Sequence, residues 1–314
     1  MNNLIYLTRK TIKLIFFICS HLPRKLQSAL GVFLGIMWFD ILRIRRQIIF
    51  ANLDRAFPAK TRSEKTAIGR ASCINLGLVF VEFMKLRFFS QKNLDEFVIY
   101  GLEHLEAAGK RQKGVCILTL HLGNGDYACA GFALIGRPVT LISKQFRTKW
   151  INDVWFEIRT RLGTELLLSK RSSYHILKAL KKQKRVVFAM DQFMGSPSGV
   201  KTTFFGHPTG SSPGLAFMAE RTGAPVLPMY TYRNKEGKTE IHCGEEIPFV
   251  EKGTNDATIA YMTQVYQDKL EEIVTKHPDQ WMWVHRRWKP FVKNKKPGQG
   301  ISPLGQGVGQ GVSP

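Results

Sequence analysis

Short, continuous apolar segments alternate with segments of helical period between residues 98 and 276. Residues 115–120 and 185–190 are the clearest apolar segments. An unbroken apolar run of this length is typical of a strand that is buried on both faces, as in a parallel sheet covered by helices. The alternation therefore predicts an α/β fold with a mostly parallel central sheet and flanking helices.

The other elements follow from the same alternation. Further strands are predicted at residues 139–143, 165–168, 226–232 and 239–243, with an Asn-Lys-Glu-Gly turn between the last two. Helices are predicted within residues 62–90 and at 127–134, 149–162, 172–183, 214–222 and 257–276. The last of these ends at His277-Pro278, because proline cannot continue a helix.

The first 50 residues are basic and apolar, and Asp40 is their only acid. Two apolar runs, residues 14–22 and 26–42, are separated by Pro23, which would break one long helix. The second run has 17 residues, slightly short of the roughly 20 that span a bilayer. Basic residues beside apolar helices favour anionic lipid. Residues 1–46 are therefore predicted to form an uncleaved helical membrane anchor, peripheral or single-pass, with a helical hairpin buried on the domain as the alternative.

Net charge narrows the choice of partner. Lys and Arg total 46 against 24 Asp and Glu, a net charge of +22, which favours an anionic membrane surface, an acidic carrier protein or nucleic acid. The chain has no recognisable RNA-binding sheet motif, helix-turn-helix signature or zinc-finger spacing, so nucleic acid is not expected. Five cysteines without a Cys-x-x-Cys pair also make a disulfide framework or a thiolate zinc site unexpected.

The C-terminal residues 293–314 are Lys-rich at first and then consist mainly of Gly, Gln, Pro and Ser without a period. Such a composition cannot bury a core, and a disordered tail is predicted. Residues 47–292, between the predicted anchor and the predicted tail, are predicted to form a single large domain.

The sharpest local motif is His121-Leu-Gly-Asn-Gly-Asp126, directly after the predicted strand 115–120. Ligands of open α/β sheets bind beyond the carboxyl ends of the strands, where His121 stands. Asp126, at the start of the next helix, is placed to fold back onto the imidazole and leave its other nitrogen basic. Since no nucleophile elbow accompanies the motif, a substrate hydroxyl is the expected nucleophile. A structural histidine is the alternative.

Two further patches carry candidate residues. Asp191 follows the strand 185–190, and the turn-rich segment after it contains Phe204 and Phe205, which predict an apolar ligand site unless the segment is an ordinary surface loop. Residues 281–289 place three tryptophans, a histidine and three basic residues within nine positions, among them Arg286 and Arg287. This composition suits phosphate binding, a lipid interface or stacking on bases.

The order of these motifs resembles the bacterial lipid A biosynthesis acyltransferases, which are late, secondary acyltransferases of the lysophospholipid acyltransferase-like superfamily. The order is His-x4-Asp, Arg-x-x-x-Gly from Arg159, Asp-Gln at Asp191, Phe-Phe-Gly, Gly-Ala-Pro-Val-Leu-Pro, and Trp-x-His-Arg-Arg-x-Lys ending at Lys289. The resemblance runs from near Arg45 to Lys289, and the N-terminus is similar to the family's membrane anchor.

The resemblance implies a glycerolipid acyltransferase-like fold that transfers an acyl group from an acyl carrier protein thioester to a hydroxyl of a lipid A precursor or related membrane lipid. It implies His121 as general base and Asp126 as its charge partner, with no metal and no cofactor. The expected partners are acyl carrier protein, an anionic lipid and the cytoplasmic face of the bacterial inner membrane. The expected substrate-binding residues are Asn124, Gly125, Arg159, Asp191, Phe204, Phe205, Arg286 and Arg287.

One departure from the family pattern leaves the acceptor open. The family usually has Asn-Trp-Glu where this chain has Asn124-Gly125-Asp126. Loss of the tryptophan reshapes the pocket beside His121, so a glycerophospholipid, a glycolipid or another membrane lipid is an alternative acceptor, and acyl-CoA an alternative donor. A non-catalytic basic membrane-binding protein that uses residues 281–289 is the least favoured alternative.

Overall fold

A computed structural model describes residues 2–145, 148–168 and 172–292. Its helices are α1 (Asn2–His21), α2 (Arg24–Ile36), α3 (Arg46–Ala56), α4 (Arg62–Lys85), α5 (Leu102–Gly109), α6 (Gly125–Leu134), α7 (Lys149–Thr160), α8 (Ser172–Lys181), α9 (Gly214–Thr222) and α10 (Asn255–Lys276). A π-helical segment, Met37–Leu42, continues α2, and 3₁₀ segments occupy Leu86–Phe88 and Gln91–Glu96. The predicted disordered tail, residues 293–314, lies outside the described residues.

The strands are β1 (Phe97–Tyr100), β2 (Val115–Thr119), β3 (Thr140–Ser143), β4 (Glu165–Leu168), β5 (Arg185–Ala189), β6 (Val200–Phe204), β7 (His207–Ser211), β8 (Val226–Arg233) and β9 (Thr239–Cys243). Seven of them form one sheet in the order β1-β9-β8-β2-β5-β3-β4. All neighbouring pairs are parallel except the β8–β9 hairpin. The predicted α/β class, the mostly parallel sheet and its flanking helices are confirmed.

The second, two-stranded sheet is a finding that the sequence did not predict. The segment interpreted as a surface loop or apolar ligand site contains the antiparallel hairpin β6–β7. Thr202 and Phe204 are buried on one face of this hairpin, while Lys201 and Thr203 are exposed. Glycine and proline around the strands obscured this alternation in the sequence. Strand β1, which has four residues and pairs with β9, was also not predicted.

Helix α2 lies unusually close to α4. A Cβ on Gly77 would come 2.2 Å from the carbonyl oxygen of Gly31, and a Cβ on Gly35 would come 2.3 Å from the Cα of Ile74. Only glycine permits such an approach of two helix backbones. Residues 2–46 form an N-terminal hairpin, in which the helix breaks at Pro23 as predicted. One side of this N-terminal hairpin is therefore packed directly onto the domain.

The other side of the N-terminal hairpin remains apolar and exposed. Its exposed large apolar side chains are Leu14, Ile15, Phe17, Ile18, Leu26, Phe33, Ile36, Ile41, Leu42 and Ile44. Within the described residues, two helical stretches, Arg24–Leu42 and Arg62–Phe88, are long and apolar enough to cross a membrane. The second is more deeply buried in the fold than the first. A helical N-terminus with an apolar outer face is thus present, and its membrane role remains a prediction.

The register of the central strands determines where the functional side chains meet. Thr119 of β2 pairs with Ala189 of β5, and His121 and Asp191 each follow two residues later. Parallel neighbours end at the same edge of a sheet. The two side chains are therefore brought together although 70 residues separate them in the chain.

Candidate active site

His121 and Asp191 form the central pair of the site. The imidazole Nδ1 lies 2.8 Å from Oδ1 of Asp191, and the backbone N–H of His121 donates to Oδ2 at 3.0 Å. Because an ionised carboxylate only accepts hydrogen bonds, Nδ1 carries the proton and the neutral ring has its lone pair on Nε2. The His121 side chain is 41% exposed, whereas that of Asp191 is 2% exposed. Asp191 therefore orients the ring from the buried side of the site, and Nε2 is left on the open side.

The charges around the pair shift both pKa values. Burial by itself lowers the pKa of His121, but the charge and hydrogen bond of Asp191 outweigh it and the pKa is raised. Asp126 adds a smaller effect in the same direction, and Arg159 opposes it. Burial by itself raises the pKa of Asp191, but the charge of His121 and the hydrogen bonds that the carboxylate accepts hold this pKa far below its usual range. Asp191 thus remains ionised.

Asp126 has a different partner from the one predicted. Its carboxylate accepts two hydrogen bonds from the guanidinium of Arg159, at 2.7 and 3.0 Å, instead of binding the imidazole. Arg159 also donates to the hydroxyl of Ser143 at 3.1 Å and packs over the ring of Trp155. The bidentate geometry of arginine and carboxylate explains this preference. The sequence-based contact between Asp126 and His121 is corrected, and Asp191 takes that place.

The start of the tryptophan-rich segment, residues 280–289, packs against the loop that carries His121. Trp281 donates its indole N–H to Oδ2 of Asp191 at 2.8 Å, and its backbone forms an isolated antiparallel bridge with Leu122. Met282 N–H donates to the His121 carbonyl, and Gly123 N–H donates to the Gln280 carbonyl. This segment therefore holds the loop after β2 in place and completes the hydrogen bonds of the buried carboxylate.

Helix α6 begins at the site and presents its N-terminus there. Asn124 is its buried N-cap, accepting from Tyr127 N–H at 3.1 Å while its amide donates to Glu82 at 2.7 Å. The oxygen and the amide nitrogen of the Asn124 side chain are therefore both used within the fold, whereas the sequence predicted that this side chain binds substrate. Gly125 is exposed, and apart from its chain neighbours and its own helix backbone no atom of the described residues lies within 4 Å of where its Cβ would be. The Tyr127 amide is used by this cap, but the amides of Gly125 and Asp126 have no acceptor within the helix, so they are available as donors to a negatively charged group.

Gln192 and His285 complete the surroundings of the imidazole. The amide nitrogen of Gln192 lies 3.5 Å from Nε2 of His121, at the edge of hydrogen-bond reach. His285 accepts the backbone N–H of Phe193 at 3.1 Å, and burial lowers its pKa to about 4. His285 therefore stays neutral near pH 7 and holds the backbone that follows Asp191.

Two other predicted residues, Arg287 and Phe204, lie in the buried interior. Arg287 is fully buried, and its guanidinium donates to Thr209, Gly210, Ser211 and Gln267. Phe204 is also fully buried, with its ring against Trp281 and Trp288. The predicted substrate-binding role of Arg287 and the apolar ligand site predicted at Phe204 are therefore corrected, because neither side chain reaches solvent. Phe205 is half-buried against Phe57, and Arg286 is exposed.

Sequence reasoning missed several members of the site. Ser143, Gln192, Glu82 and the indole of Trp281 all contact site residues, although only Gln192 and Trp281 belonged to predicted patches. Ser143 ends a predicted strand, and Gln192 follows another as part of the Asp-Gln motif. Across residues 2–145, 148–168 and 172–292, no three His, Cys, Asp or Glu side chains are grouped as metal ligands.

Comparison with known proteins identifies the family to which the chain belongs. The family described as bacterial lipid A biosynthesis acyltransferase matches residues 4–290. A lipid A biosynthesis lauroyltransferase from Escherichia coli strain K12 is 23% identical over 88% of this chain and 89% of its own length. A phosphatidylinositol mannoside acyltransferase from Mycobacterium tuberculosis strain H37Rv is 28% identical over 76% of this chain and 75% of its own. The crystal structure of 1-acyl-sn-glycerophosphate acyltransferase from Thermotoga maritima is a more distant likeness, with a TM-score of 0.37 and 16% identity over 80% of this chain and 98% of that one.

Proposed function

Because the chain belongs to the bacterial lipid A biosynthesis acyltransferase family, we propose that it transfers a fatty acyl group from an acyl carrier protein thioester to a hydroxyl of a lipid A precursor or related membrane lipid. Membership in the family makes the protein an acyltransferase with an acyl donor and a lipid acceptor. The identity of the donor, the acceptor and the catalytic residues belongs to the proposal.

The observation that carries the proposed mechanism is the His121–Asp191 hydrogen bond. It fixes the tautomer in which Nε2 accepts a proton, and the open side of the ring receives the acceptor hydroxyl. His121 takes the hydroxyl proton while the oxygen attacks the thioester carbonyl. The resulting tetrahedral adduct then expels the thiolate, which takes the proton back from His121. A positioned base of this kind accelerates the reaction about 10²–10⁴-fold.

The tetrahedral adduct places negative charge on the former carbonyl oxygen, which needs donors. The first-turn amides of α6, at Gly125 and Asp126, are the proposed donors, since a helix N-terminus favours negative charge. Arg159, held by Asp126 and Ser143, supplies a positive charge at the same end of the sheet. Asp126 thus acts in the proposal by placing Arg159 and by its charge near His121.

The choice of partners rests on charge and on the N-terminal hairpin. A net charge of +22 suits both an acidic carrier protein and an anionic lipid. The exposed apolar face of the hairpin suits the interfacial region of a membrane. We place the enzyme at the cytoplasmic face of the bacterial inner membrane, with residues 1–46 as its anchor. Binding of both substrates at one surface adds proximity to the catalysis.

A second candidate acceptor is a mannosylated phospholipid or another glycerophospholipid or glycolipid, with acyl-CoA or acyl carrier protein as donor. Two observations favour it. One of the relatives above is named a phosphatidylinositol mannoside acyltransferase, and Gly125 leaves the start of α6 open where the lipid A family usually has tryptophan.

The test of the proposed function combines an acyl-transfer assay and lipid mass spectrometry. Full-length protein in phosphatidylcholine vesicles is given acyl carrier protein or coenzyme A thioesters and a set of acceptors that includes a lipid A precursor, a mannosylated phosphatidylinositol and a lysophospholipid. We expect one acceptor to gain one acyl mass, with loss of transfer in His121→Ala. Unchanged transfer in His121→Ala would overturn the proposed role of His121 as general base. Salt-sensitive vesicle binding with no transfer to any acceptor would overturn the proposed function in favour of a non-catalytic membrane-binding protein.

A further inference from the structure

The carboxamide of Gln192 faces the open side of the imidazole. Its amide nitrogen lies 3.5 Å from Nε2 of His121, and this is the one hydrogen-bond contact that the Gln192 side chain makes with the described residues. Because the neutral imidazole has its lone pair on Nε2, the carboxamide presents its NH₂ group to the ring rather than its oxygen. A distance of 3.5 Å is at the edge of hydrogen-bond reach, so the amide donors are left largely unused.

The backbone on both sides of Gln192 is held in place. The preceding carboxylate, that of Asp191, accepts three hydrogen bonds. After Gln192, the Phe193 N–H donates to His285 at 3.1 Å, and the Met194 N–H donates to a carbonyl of β7 at 3.1 Å. The Gln192 side chain therefore projects from a fixed stretch of backbone, as a preorganised donor requires.

The tetrahedral adduct of the proposed reaction creates a need for such donors. As the acceptor oxygen attacks the thioester carbon, the π electrons of the carbonyl move onto its oxygen and His121 takes the hydroxyl proton. Loss of the thiolate then restores the carbonyl, and the thiolate takes the proton from His121. The oxyanion exists only between these two steps. Donors aimed at it therefore lower the barrier without tightening the binding of the thioester.

Gln192 and the first proposed donors lie on neighbouring loops. The amides of Gly125 and Asp126 follow the end of β2, and Gln192 follows the end of β5. These strands are parallel neighbours in register, so both sets of donors lie at the same edge of the sheet. The acceptor hydroxyl must bind Nε2 of His121, which brings the attached oxyanion within reach of a carboxamide 3.5 Å from that nitrogen.

A neutral amide suits this position better than a charged donor. A cation beside Nε2 would oppose the protonation of His121 during the reaction. The guanidinium of Arg159 is already bonded to Asp126 and Ser143. A carboxamide donates to the oxyanion and leaves the charge balance of the His121–Asp191 pair unchanged. Asparagine and glutamine side chains serve as oxyanion donors in acyl-transfer enzymes for this reason.

We propose that Gln192 is a catalytic residue whose carboxamide donates a hydrogen bond to the oxyanion of the tetrahedral adduct. The assignment rests on the proposed function, since it names a further group for the same acyl transfer. When the acceptor hydroxyl binds Nε2, the carboxamide gives up its long contact with the ring and turns to the oxyanion. Rotation of the Gln192 side chain is sufficient, and the backbone of the loop stays in place.

The first experiment compares Gln192→Met with the unmodified full-length protein in the acyl-transfer assay. Methionine keeps the length of the side chain but has no N–H donor. We expect kcat to fall about 10²–10³-fold, as for the loss of one oxyanion donor, with KM for both substrates within about twofold. The acidic limb of the pH profile should stay in place, because so long a contact adds little to the pKa of His121.

Two further variants separate catalysis from structure. Gln192→Asn keeps the donor on a shorter side chain and should recover part of the lost kcat. Gln183→Met is the matched control, because Gln183 is exposed before the amino end of β5, whereas Gln192 follows the carboxyl end. The Gln183 side chain makes no hydrogen bond with the described residues, so this variant should leave kcat and KM unchanged.

The second experiment measures binding and needs no acyl transfer. Its probe is the monomethyl ester of octylphosphonate, whose tetrahedral, singly charged head resembles the adduct. Nonanoate is the reference, with the same chain and charge on a planar head. The ratio of the two affinities for the full-length protein, measured by calorimetry, isolates recognition of the tetrahedral oxyanion. We expect the unmodified protein to prefer the phosphonate. Gln192→Met should lower the ratio about tenfold, the equivalent of one hydrogen bond to a charged group, and Gln183→Met should not change it.

Any one of three results would overturn the assignment: a Gln192→Met variant that loses no kcat, a rise in KM alone, or an affinity ratio that does not depend on Gln192. Failure of the proposed function gives a different result. If the unmodified protein acylates no acceptor while its preference for the phosphonate depends on Gln192, the acyl-transfer proposal fails and the oxyanion site stands. If the unmodified protein and Gln192→Met acylate the acceptor equally, only the role of Gln192 fails.

Discussion

His121 and Asp191 are hydrogen-bonded at 2.8 Å because β2 and β5 are parallel neighbours in register, with each residue two positions beyond the paired Thr119 and Ala189. The carboxylate also accepts the His121 backbone N–H and the Trp281 indole. Three donors on one buried carboxylate leave it little freedom to move. The imidazole is consequently held in a single orientation, with Nε2 on the open side.

Replacing His121 with alanine should lower turnover about 10²–10⁴-fold, since the proton acceptor is removed. The His121 side chain is 41% exposed, so the fold should persist. Turnover is measured by acyl transfer to the acceptor identified as above, and thermal unfolding by circular dichroism serves as the control. Loss of activity that merely parallels a large fall in the melting temperature would contradict a catalytic role.

Asp191→Asn should reduce kcat by up to about 10⁴-fold, as expected when a histidine base is held in the wrong tautomer. The carbonyl of asparagine can retain the bonds from the backbone and from Trp281, but its NH₂ would then face Nδ1. The ring would have to accept there and carry its proton on Nε2, where it cannot act as a base.

The same variant gives a pH prediction. Activity requires neutral His121, so it falls as the pH drops through the pKa of the imidazole. Asp191 raises this pKa, and its neutralisation should lower it. The acidic limb of the kcat/KM profile should therefore move to lower pH in the residual activity of Asp191→Asn. A limb that stays in place or moves to higher pH would show that His121 is not the titrating group.

The Asp126–Arg159 pair should matter for stability. Its side chains are 13% and 16% exposed, so removing one partner strands a largely buried charge, at a cost of about 3 kcal/mol in the free energy of unfolding. Arg159→Lys should also lower the free energy of unfolding, because a lysine ammonium cannot make the bidentate contact with Asp126. Denaturant unfolding of Asp126→Asn measures the cost. The exposed pair Lys276–Glu272 is the control, for which Glu272→Gln should cost less than about 1 kcal/mol.

Gly125→Trp tests the open space at the start of α6. Nothing lies within 4 Å of the added Cβ, so the variant should fold with nearly unchanged stability. The new indole would stand beside His121 and narrow access for the acceptor. We expect a raised KM for acceptors with large headgroups and a smaller effect on the acyl donor, measured by steady-state kinetics. Equal effects on both substrates would argue against an acceptor pocket at this position.

Gly77→Ala tests the contact between α2 and α4. Its Cβ would meet the Gly31 carbonyl at 2.2 Å, so the hairpin must shift, at about 2 kcal/mol or more. Hydrogen exchange should show faster opening of α2 with the sheet unaffected. Gly109→Ala, in α5 with open space around its Cβ, is the control and should be neutral or slightly stabilising.

The sequence predicted most of the central sheet because buried parallel strands are continuous apolar runs. Residues 165–168 and 239–243 were predicted with the observed bounds, and the strands at 115–120 and 185–190 to within one residue. Strand β1 and the β6–β7 hairpin were not predicted. Strand β1 has four residues and pairs with β9, which is distant in the chain. The strands of the hairpin pair locally, but the glycine and proline around them obscured their alternation. Propensity is weak for such strands, and pairing determines them.

For the site, the sequence by itself determined that His121 and Asp191 stand at the carboxyl ends of strands, because the apolar runs before them end there. Which acid binds the imidazole was decided only by the tertiary structure. Sequence proximity favoured Asp126, but the strand order and register brought Asp191 to the ring, and α7 brought Arg159 to Asp126. Neighbouring strands in a sheet can be separated by any length of chain, so no local pattern encodes that choice.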